Sequence, residues 1–226
     1  MESLPTDISA TDVFRQLSAL PHAVFFDNCD TPHADARYSF VAVDPFEWIS
    51  VPADGSDALS RLESALAPFS TSTHPGLPPF QGGAAGVFGY ELALGLEDLA
   101  QTNTYDLSVP AMSVGLYDLV IAFDHQLGKG WLISQGFPEL DPNNRQRRAQ
   151  SRMDQLKAWL AGPASSGGDN RFSPETPLDV APQFDVGIEG VTSNMSADDY
   201  LDKVAQEGKY IHQGDVFQVN LEQRLL

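Results

Sequence analysis

The sequence is poor in cysteine and in positive charge. It has one cysteine, Cys29, and 13 Lys and Arg residues against 31 Asp and Glu residues. A single cysteine cannot form an internal disulfide, which indicates a reducing compartment. The formal net charge of −18 disfavours nucleic acid and anionic membrane surfaces as partners, because both would repel the chain. Five scattered histidines give no zinc-type cluster.

Long apolar runs are also missing. No stretch approaches the roughly 18 apolar residues that a membrane-spanning helix needs. The first twenty residues carry Glu2, Asp7, Asp12 and Arg15 and have no uninterrupted apolar core, so no signal peptide is visible. The hydrophobic fraction of 42% over 226 residues is typical of a globular protein with one core or one and a half. We expect a cytoplasmic protein without a membrane or nucleic-acid partner.

The stretch from Asn194 to Leu226 has the clearest local signals. Ser196 and Asp199 have the spacing of a capping box, which predicts a helix start. Gly214 suits a left-handed helix end. Residues at helical spacing between these two points predict one buried stripe: Tyr200, Val204, Gly208 and Ile211.

An extended segment should follow this helix. In Val216–Leu226 the apolar residues Phe217, Val219 and Leu221 alternate with polar ones, which predicts a strand with one apolar face. Two interpretations stay open. The segment is either an edge strand or a core element whose sheet is completed by residues outside this sequence, and we expect the second. In that case the apolar face would be exposed and prone to aggregate.

The remainder of the chain alternates between predicted strands and helices. Gly162 to Pro182 is rich in Gly, Pro, Ser and Asp and predicts a flexible linker. We expect a first domain at 1–161, a linker at 162–193 and the beginning of a second domain at 194–226. The predicted helices are Ala10–Leu20, which Thr11 would cap, Ser56–Phe69 and Asn144–Ala161. The predicted strands are Ala23–Phe26, Arg37–Val43, a closely packed glycine-rich strand within Phe80–Glu91, Val114–Asp124 and Gly130–Ser134. The last two strands should form a hairpin.

Several strings in this order resemble those of a known family. They are Phe25-Phe-Asp-Asn28 with Arg37-Tyr-Ser-Phe40 and Asp44-Pro45, Gly82-Gly-Ala-Ala-Gly-Val-Phe-Gly-Tyr-Glu91, Met112-Ser-Val-Gly-Leu-Tyr-Asp118 with Phe123-Asp-His125, and Gln218-Val-Asn-Leu221. The chain resembles the N-terminal half of component I of the chorismate-using synthases, which comprise aminodeoxychorismate (para-aminobenzoate) synthase and anthranilate synthase. Gln218-Val-Asn-Leu221 is more similar to the aminodeoxychorismate branch, and the anthranilate branch is the alternative.

This resemblance implies a fold and a reaction. The fold is α+β, with mostly antiparallel β-sheets packed face to face and helices outside. The complete enzyme aminates chorismate to 4-amino-4-deoxychorismate in folate-precursor synthesis, with Mg2+ as cofactor and ammonia from a glutamine amidotransferase subunit. The family's Pro-Ile-Lys-Gly-Thr loop does not occur here, so we expect no complete catalytic set in this chain. Gln218 and Asn220 are candidates for lining the chorismate cavity, because neutral amides can donate to an oxyanion; alternatively they face solvent or neighbouring strands.

The resemblance also implies a regulatory amino-acid pocket, which takes tryptophan in the family. The matching residues are Phe26, Asp27, Asn28, Tyr38 and Ser39, and Asp27 is the expected partner of the ligand ammonium. Asn28 stands where the family has Ser, and the family's Asn-Pro-Ser-Pro-Tyr segment does not occur in this sequence. The alternative is that Asp27 and Asn28 form an Asx-type turn. Two other functions stay open: an amino-acid-binding module without catalysis, and an α+β domain without a ligand.

Overall fold

The structure, a computed structural model, describes residues 1–5, 8–28, 36–99, 109–163 and 181–226 of the 226-residue chain. The chain divides into two compact units. The described part of the first unit lies between residues 1 and 163, and that of the second comprises 181–226. Of the predicted linker, 162–193, residues 164–180 lie outside the described residues.

The first unit contains two antiparallel sheets within its described residues. The elements in chain order are β1 (Glu2–Leu4), α1 (Ala10–Leu17), β2 (Val24–Phe26), β3 (Tyr38–Ala42), β4 (Glu47–Val51), α2 (Ala58–Leu66), β5 (Gly83–Phe88), β6 (Met112–Tyr117), β7 (Leu119–Asp124), β8 (Lys129–Ser134) and α3 (Pro142–Ala161). The larger sheet has the strand order β1-β8-β7-β3-β2, and the smaller one has the order β4-β6-β5. The predicted α+β class with mostly antiparallel sheets is confirmed.

Three apolar clusters order these elements into layers. One cluster joins α1 and α3 to one face of the larger sheet, through Val13, Leu17 and Leu156 among others. A second joins the opposite face of that sheet to the smaller sheet, through Ala42, Ala122 and Tyr117. The third packs α2 on the far side of the smaller sheet. The two sheets therefore face each other and helices cover them on the outside, as predicted.

The chain passes between the two sheets at two aspartates. Asp44 lies between β3 and β4, and Asp118 lies between β6 and β7. Arg152 of α3 reaches both: its guanidinium donates to Asp44 Oδ2 at 2.6 Å, to the Asp44 carbonyl at 2.7 Å and to Asp118 Oδ1 at 3.2 Å. Asp118 is fully buried; burial raises the pKa of its carboxyl, and Arg152 opposes that rise. One guanidinium thus binds both crossing points.

This crossing corrects the prediction of one continuous strand over Val114–Asp124. The segment forms β6 and β7, which belong to different sheets and separate at Asp118. An apolar run that is buried on both sides looks the same in sequence whether it stays in one sheet or changes sheet. The hairpin between β7 and β8 is confirmed, with a register from Leu119 opposite Ser134 to Asp124 opposite Lys129.

The glycine-rich segment is a close-packed strand, as predicted. At Gly86 of β5 the φ angle is +155°, and a Cβ atom would lie 2.2 Å from the carbonyl oxygen of Ser113 on β6. Any larger residue would push the two backbones apart. The glycine here serves the contact between strands β5 and β6.

The second unit consists of a short hairpin and one helix in its described residues: β9 (Phe184–Asp185), β10 (Thr192–Ser193) and α4 (Ala197–Gln213). Ser196 Oγ accepts from the Asp199 amide at 3.1 Å and donates to Asp199 Oδ2 at 2.6 Å, so the predicted start of α4 is confirmed. Gly214 has φ +79° and ends the helix in the left-handed conformation. The predicted stripe is not buried, however, because Tyr200, Val204 and Ile211 are 37%, 43% and 44% exposed.

The predicted strand over Val216–Leu226 was wrong for most of its length. Only its end pairs: Leu226 and Thr192 exchange backbone hydrogen bonds at 2.8 and 2.9 Å. A strand needs a neighbour to accept and donate its ladder hydrogen bonds, and no described strand lies beside residues 216–223. Phe217 is 94% exposed, as expected for an unpaired apolar face.

Removal of Arg152 should destabilise the first unit strongly. We expect Arg152→Met to lower the free energy of unfolding by about 3–5 kcal/mol, because the buried carboxylate of Asp118 loses its hydrogen-bonded cation and keeps only Arg148, at 3.9 Å. Urea unfolding followed by circular dichroism measures the effect.

The control is Lys157→Met on the same helix, where an exposed pair with Glu2 is removed and we expect a loss below about 1 kcal/mol. If Arg152→Met does not fold, the double variant Arg152→Met/Asp118→Leu should fold. Equal midpoints for Arg152→Met and Lys157→Met would contradict the role of Arg152.

Candidate functional site

Three polar side chains meet at the start of β3, on the face of the larger sheet that α1 and α3 cover. Ser39 Oγ donates to Asp27 Oδ1 at 2.9 Å and lies 2.7 Å from His125 Nε2. Ser39 is fully buried, whereas Asp27, just after β2, is exposed. The cluster thus connects a buried hydroxyl to a carboxylate at the surface.

The strand register brings these residues together. Ser39 pairs with Phe123 of β7, and both side chains lie on the face that α1 covers. Side chains alternate along a strand, so His125, two residues beyond Phe123, projects to the same face. Its ring stacks near the Phe123 ring at 6.4 Å between centroids, and its backbone amide donates to the Arg37 carbonyl at 2.8 Å.

The hydrogen-bond directions in the cluster follow from proton counting. A carboxylate only accepts, so the single hydroxyl proton of Ser39 goes to Asp27. The Ser39 oxygen then accepts from His125, whose Nε2 must carry a proton. This order differs from that of a catalytic Ser-His-Asp triad, in which the histidine takes the hydroxyl proton and the carboxylate binds the histidine. The arrangement fixes the position of Asp27 rather than activating Ser39.

An ion pair holds the same corner of the sheet. Arg37 donates to Asp124 Oδ2 from Nε at 3.0 Å and from a terminal nitrogen at 2.7 Å. The other oxygen of Asp124 accepts from the backbone amides of Gln126 and Leu127 at 3.1 and 3.0 Å. Burial alone would raise the pKa of the Asp124 carboxyl, but the hydrogen bonds from Arg37 and these amides outweigh it and lower the pKa. Asp124 therefore stays ionised beside the cluster.

A cleft of about 310 Å³ opens beside these groups. That volume is at the lower end of the range for small-molecule sites. Asp27, Asp124 and His125 line one side. The start of α1 and the turn after β7 form the other walls. The residues that line the cleft there are Ile8, Ser9, Ala10, Thr11, Gly128 and Lys129. The cleft offers acidic groups and one lysine around a partly apolar wall.

The predicted amino-acid pocket divides between the two faces of the sheet. Asp27 and Ser39 lie together at the cleft. Phe26 and Tyr38 project to the opposite face, where the Phe26 ring lies 6.3 Å from Phe80 and the Tyr38 ring 6.0 Å from Phe40. Asn28 donates to the Tyr38 carbonyl at 2.6 Å. Asp27 and Asn28 thus bond across to β3. The backbone amides that an Asx-type turn would use here, those of residues 29 and 30, lie outside the described residues.

The second pair of predicted site residues lies in the second unit. Gln218 and Asn220 are exposed, and Gln218 Nε2 is 3.5 Å from Asn220 Oδ1. They follow α4 in a segment without strand pairing. Their predicted role in a chorismate cavity stays a prediction.

Sequence reasoning missed His125 as a member of the cluster. His125 begins the turn after β7. The sequence did contain one indication: His125 follows Phe123 by two positions, and residues two apart on a strand lie on the same face of the sheet. Register with β3 supplies the remaining information, and only the structure provides it.

The described residues form neither a cluster of metal ligands nor a membrane-spanning helix. Within the part of the chain that the structure describes, no three His, Cys, Asp or Glu side chains are grouped so that they could hold a metal ion. No described helix is long and apolar enough to cross a membrane.

Comparison with known proteins identifies the family. Residues 22–226 match the family model described as chorismate binding enzyme. The chain belongs to the chorismate binding enzyme family. It is 30% identical over 225 residues to aminodeoxychorismate synthase component 1 of Escherichia coli K12, covering 93% of this chain and 43% of the relative. It is also 30% identical over 225 residues to anthranilate synthase component 1 of Streptomyces coelicolor, covering 99% and 42%.

A solved structure supports the fold of this family member. Anthranilate synthase component I from Streptococcus pneumoniae TIGR4 aligns with a TM-score of 0.56 and 22% identity, over 82% of this chain and 40% of that one. The chain therefore spans less than half the length of the relatives described here. The predicted resemblance to component I is confirmed, and the two branches match at the same identity.

The stability of this family member should depend on pH through Asp124. Its folded-state pKa is lowered, so its contribution is present above the unfolded pKa of about 3.9 and is lost as pH falls through the folded value. We expect Asp124→Asn to cost about 1.5–3 kcal/mol at neutral pH, the range for hydrogen bonds to a charged group. Wild type and variant should converge in acid, which urea unfolding across the acid range measures.

The matched control is Asp98→Asn, which makes the same chemical change at an exposed carboxylate. Its free energy of unfolding at neutral pH should differ from that of wild type by less than about 0.5 kcal/mol. If the difference in unfolding free energy between wild type and Asp124→Asn stayed constant as the pH falls, the stabilising role of the ionised Asp124 carboxylate would be contradicted.

Proposed function

We propose that this chain is part of an enzyme that aminates chorismate to 4-amino-4-deoxychorismate. The observation that carries the proposal is the match of residues 22–226 to the chorismate binding enzyme family, together with relatives named aminodeoxychorismate synthase component 1. The string Gln218-Val-Asn-Leu221 favours this branch. In the reaction, ammonia displaces the C4 hydroxyl of chorismate.

The name component 1 implies a second component in those relatives. We infer that a glutamine amidotransferase supplies the ammonia here as well. Mg2+ is the proposed cofactor of the complete enzyme and would act as an electrophile toward the leaving oxygen. We assign it no residue in this chain. Gln218 and Asn220 are the proposed cavity residues, because their amides are exposed and neutral and can donate to an anionic substrate.

Anthranilate formation is the second candidate for the product. The Streptomyces coelicolor anthranilate synthase component 1 matches this chain at the same identity as the Escherichia coli relative. The two products differ in the ring position that receives the amino group and in whether pyruvate is lost. A product assay therefore separates them directly.

The test begins with the intact mass of the native protein. We expect a mass above twice the 24.5 kDa of this chain, because the chain covers 42–43% of the Escherichia coli and Streptomyces coelicolor relatives. The native protein with chorismate, an ammonium salt and Mg2+ should then form 4-amino-4-deoxychorismate, identified by mass spectrometry. The 226-residue chain alone should form no product.

Two results would contradict this proposal. Anthranilate as the product would replace the first candidate by the second. A native mass of 24.5 kDa would remove the enzyme assignment for this chain and leave the binding function described next.

We also propose that the cleft beside Asp27 binds an amino acid, with tryptophan as the first ligand to test. The observation that favours it is the position of Asp27: Ser39 holds one carboxylate oxygen at 2.9 Å, and His125 holds Ser39. A carboxylate fixed in this way at a cleft gives a ligand ammonium a charge-assisted partner at a small entropic cost. Phe26 and Tyr38 do not border this cleft.

Asp27→Asn should weaken tryptophan binding to the 226-residue chain about tenfold or more, because a charge-assisted hydrogen bond becomes a neutral one. Isothermal titration calorimetry measures the dissociation constant. Glu63→Gln, at an exposed carboxylate on α2, is the control and should bind as wild type does.

Ser39→Ala tests the support of Asp27 separately. It should weaken binding less than Asp27→Asn does, because the carboxylate remains but loses its fixed position. Equal affinities of wild type and Asp27→Asn, or no binding to wild type, would contradict the proposed pocket.

A further inference from the structure

Positive charge is concentrated on α3. The helix carries five of the 13 Lys and Arg residues of a chain whose net charge is −18: Arg145, Arg147, Arg148, Arg152 and Lys157. Only one acidic residue, Asp154, lies within its bounds. The fold explains Arg152, which is buried between Asp44 and Asp118. It does not require the cations on the outer side of the same helix.

Two of the outer arginines are held in place by backbone carbonyls. Arg145 Nε donates to the Gln135 carbonyl at 2.8 Å, and Arg148 Nε donates to the Phe137 carbonyl at 2.8 Å. Arg145 also stacks over the Phe137 ring at 3.8 Å. An arginine bound through Nε keeps its two terminal nitrogens for another partner. Its position is fixed in advance, so less side-chain entropy is lost when that partner binds.

Arg147 and Arg148 border an open polar groove of about 530 Å³ on α3. The other lining residues are Glu139, Asn144, Ser151, Arg152 and Gln155. The exposed residues Asn144, Ser151 and Gln155 follow a helical spacing and offer hydrogen-bonding groups beside the guanidinium groups. None of the residues that line this groove is apolar. A partner would therefore be recognised here by polar and charged contacts and not by the burial of apolar surface.

The carboxylates of the described residues leave Arg147 and Arg148 largely available for contacts with another molecule. Arg147 is exposed and bonds to the amide oxygen of Asn144; it forms no ion pair with any carboxylate of the described residues. Arg148 forms a long ion pair with the buried carboxylate of Asp118, with 3.9 Å between Nε and Oδ2; its side chain is 34% exposed. Asp118 Oδ2 in turn has no hydrogen-bond partner among the described residues.

We propose that the groove at Arg147, Arg148, Ser151 and Gln155 is a docking surface for a partner protein that presents clustered carboxylates. The guanidinium of Arg148, which the Phe137 carbonyl holds, and that of Arg147 beside it can each bind a carboxylate bidentately and would give such an interface its specificity. A nucleic acid has the same sign of charge, but its longer phosphate backbone would also meet the repulsion of the whole −18 chain. A short acidic segment contacts only this surface. The proposal is independent of the reaction proposed above.

The test uses the 226-residue chain and a fluorescein-labelled helical peptide with Glu at successive i and i+4 positions. A matched peptide with Gln at those positions is the probe control. Fluorescence anisotropy at low ionic strength should show at least about tenfold tighter binding of the Glu peptide, with a loss of affinity as salt is added.

Arg147→Gln/Arg148→Gln should reduce the affinity for the Glu peptide about tenfold or more. Arg147→Gln alone leaves the Arg148 bond to Phe137 intact and should give part of this loss in a fully folded protein. The control Arg61→Gln removes one charge, as Arg147→Gln alone does, but on α2, where Arg61 contacts the Ser50 carbonyl; it should change the affinity less than about twofold.

Three results would overturn the proposal. The Glu and Gln peptides could bind equally, the double variant could bind as wild type does, or a single-stranded oligonucleotide could bind more tightly than the Glu peptide through the same arginines. The last result would assign the groove to nucleic acid.

Discussion

The first unit depends on one buried guanidinium. Arg152 donates to the carboxylate and the carbonyl of Asp44 and to the carboxylate of Asp118. These two residues mark the places where the chain leaves one sheet and enters the other. The same helix buries Met153 and Leu156 against the larger sheet. An outer helix, the larger sheet and the start of the smaller sheet are thereby joined through a single side chain.

The candidate site lies at the other end of the strands that Arg152 positions. β3 ends two residues before Asp44, and β7 begins directly after Asp118. Running antiparallel, both strands reach the corner where Arg37 binds Asp124 and where Ser39 lies between Asp27 and His125. Ion pairs therefore fix both ends of this strand pair. That matters because a slip of one residue would turn Ser39 to the opposite face and separate the cluster.

The sequence predicts well those features that arise within a few residues. The capping box at Ser196, the end of α4 at Gly214 and the hairpin between β7 and β8 were all predicted from local patterns and are confirmed. Family resemblance added Asp27 and Ser39 as neighbours. These signals work because a cap or a tight turn is decided by residues that are close in the chain.

Features set by distant residues were not predictable in this way. Arg152 and Asp44 are 108 positions apart, and Ser39 and His125 are 86 apart. No local pattern specifies such pairs. The segment 216–223 shows the converse: its alternation is that of a strand, but pattern alone cannot supply the neighbour that a strand requires. For the same reason Val114–Asp124 was predicted as one strand although a buried ion pair at Asp118 separates it into two.

The scarcity of positive charge explains which carboxylates form ion pairs with the arginines. In a chain with 31 acidic and 13 basic residues, a buried carboxylate cannot be left without a cation, and Arg152 and Arg37 are used for Asp118 and Asp124. Cations that remain at the surface oppose the net charge of −18 and would be expected to pair with nearby acids. Arg147 does not do so within the described residues, although acidic side chains outnumber basic ones by more than two to one. Its position beside Arg148, which a backbone carbonyl fixes, fits a contact with another molecule better than a contribution to this fold.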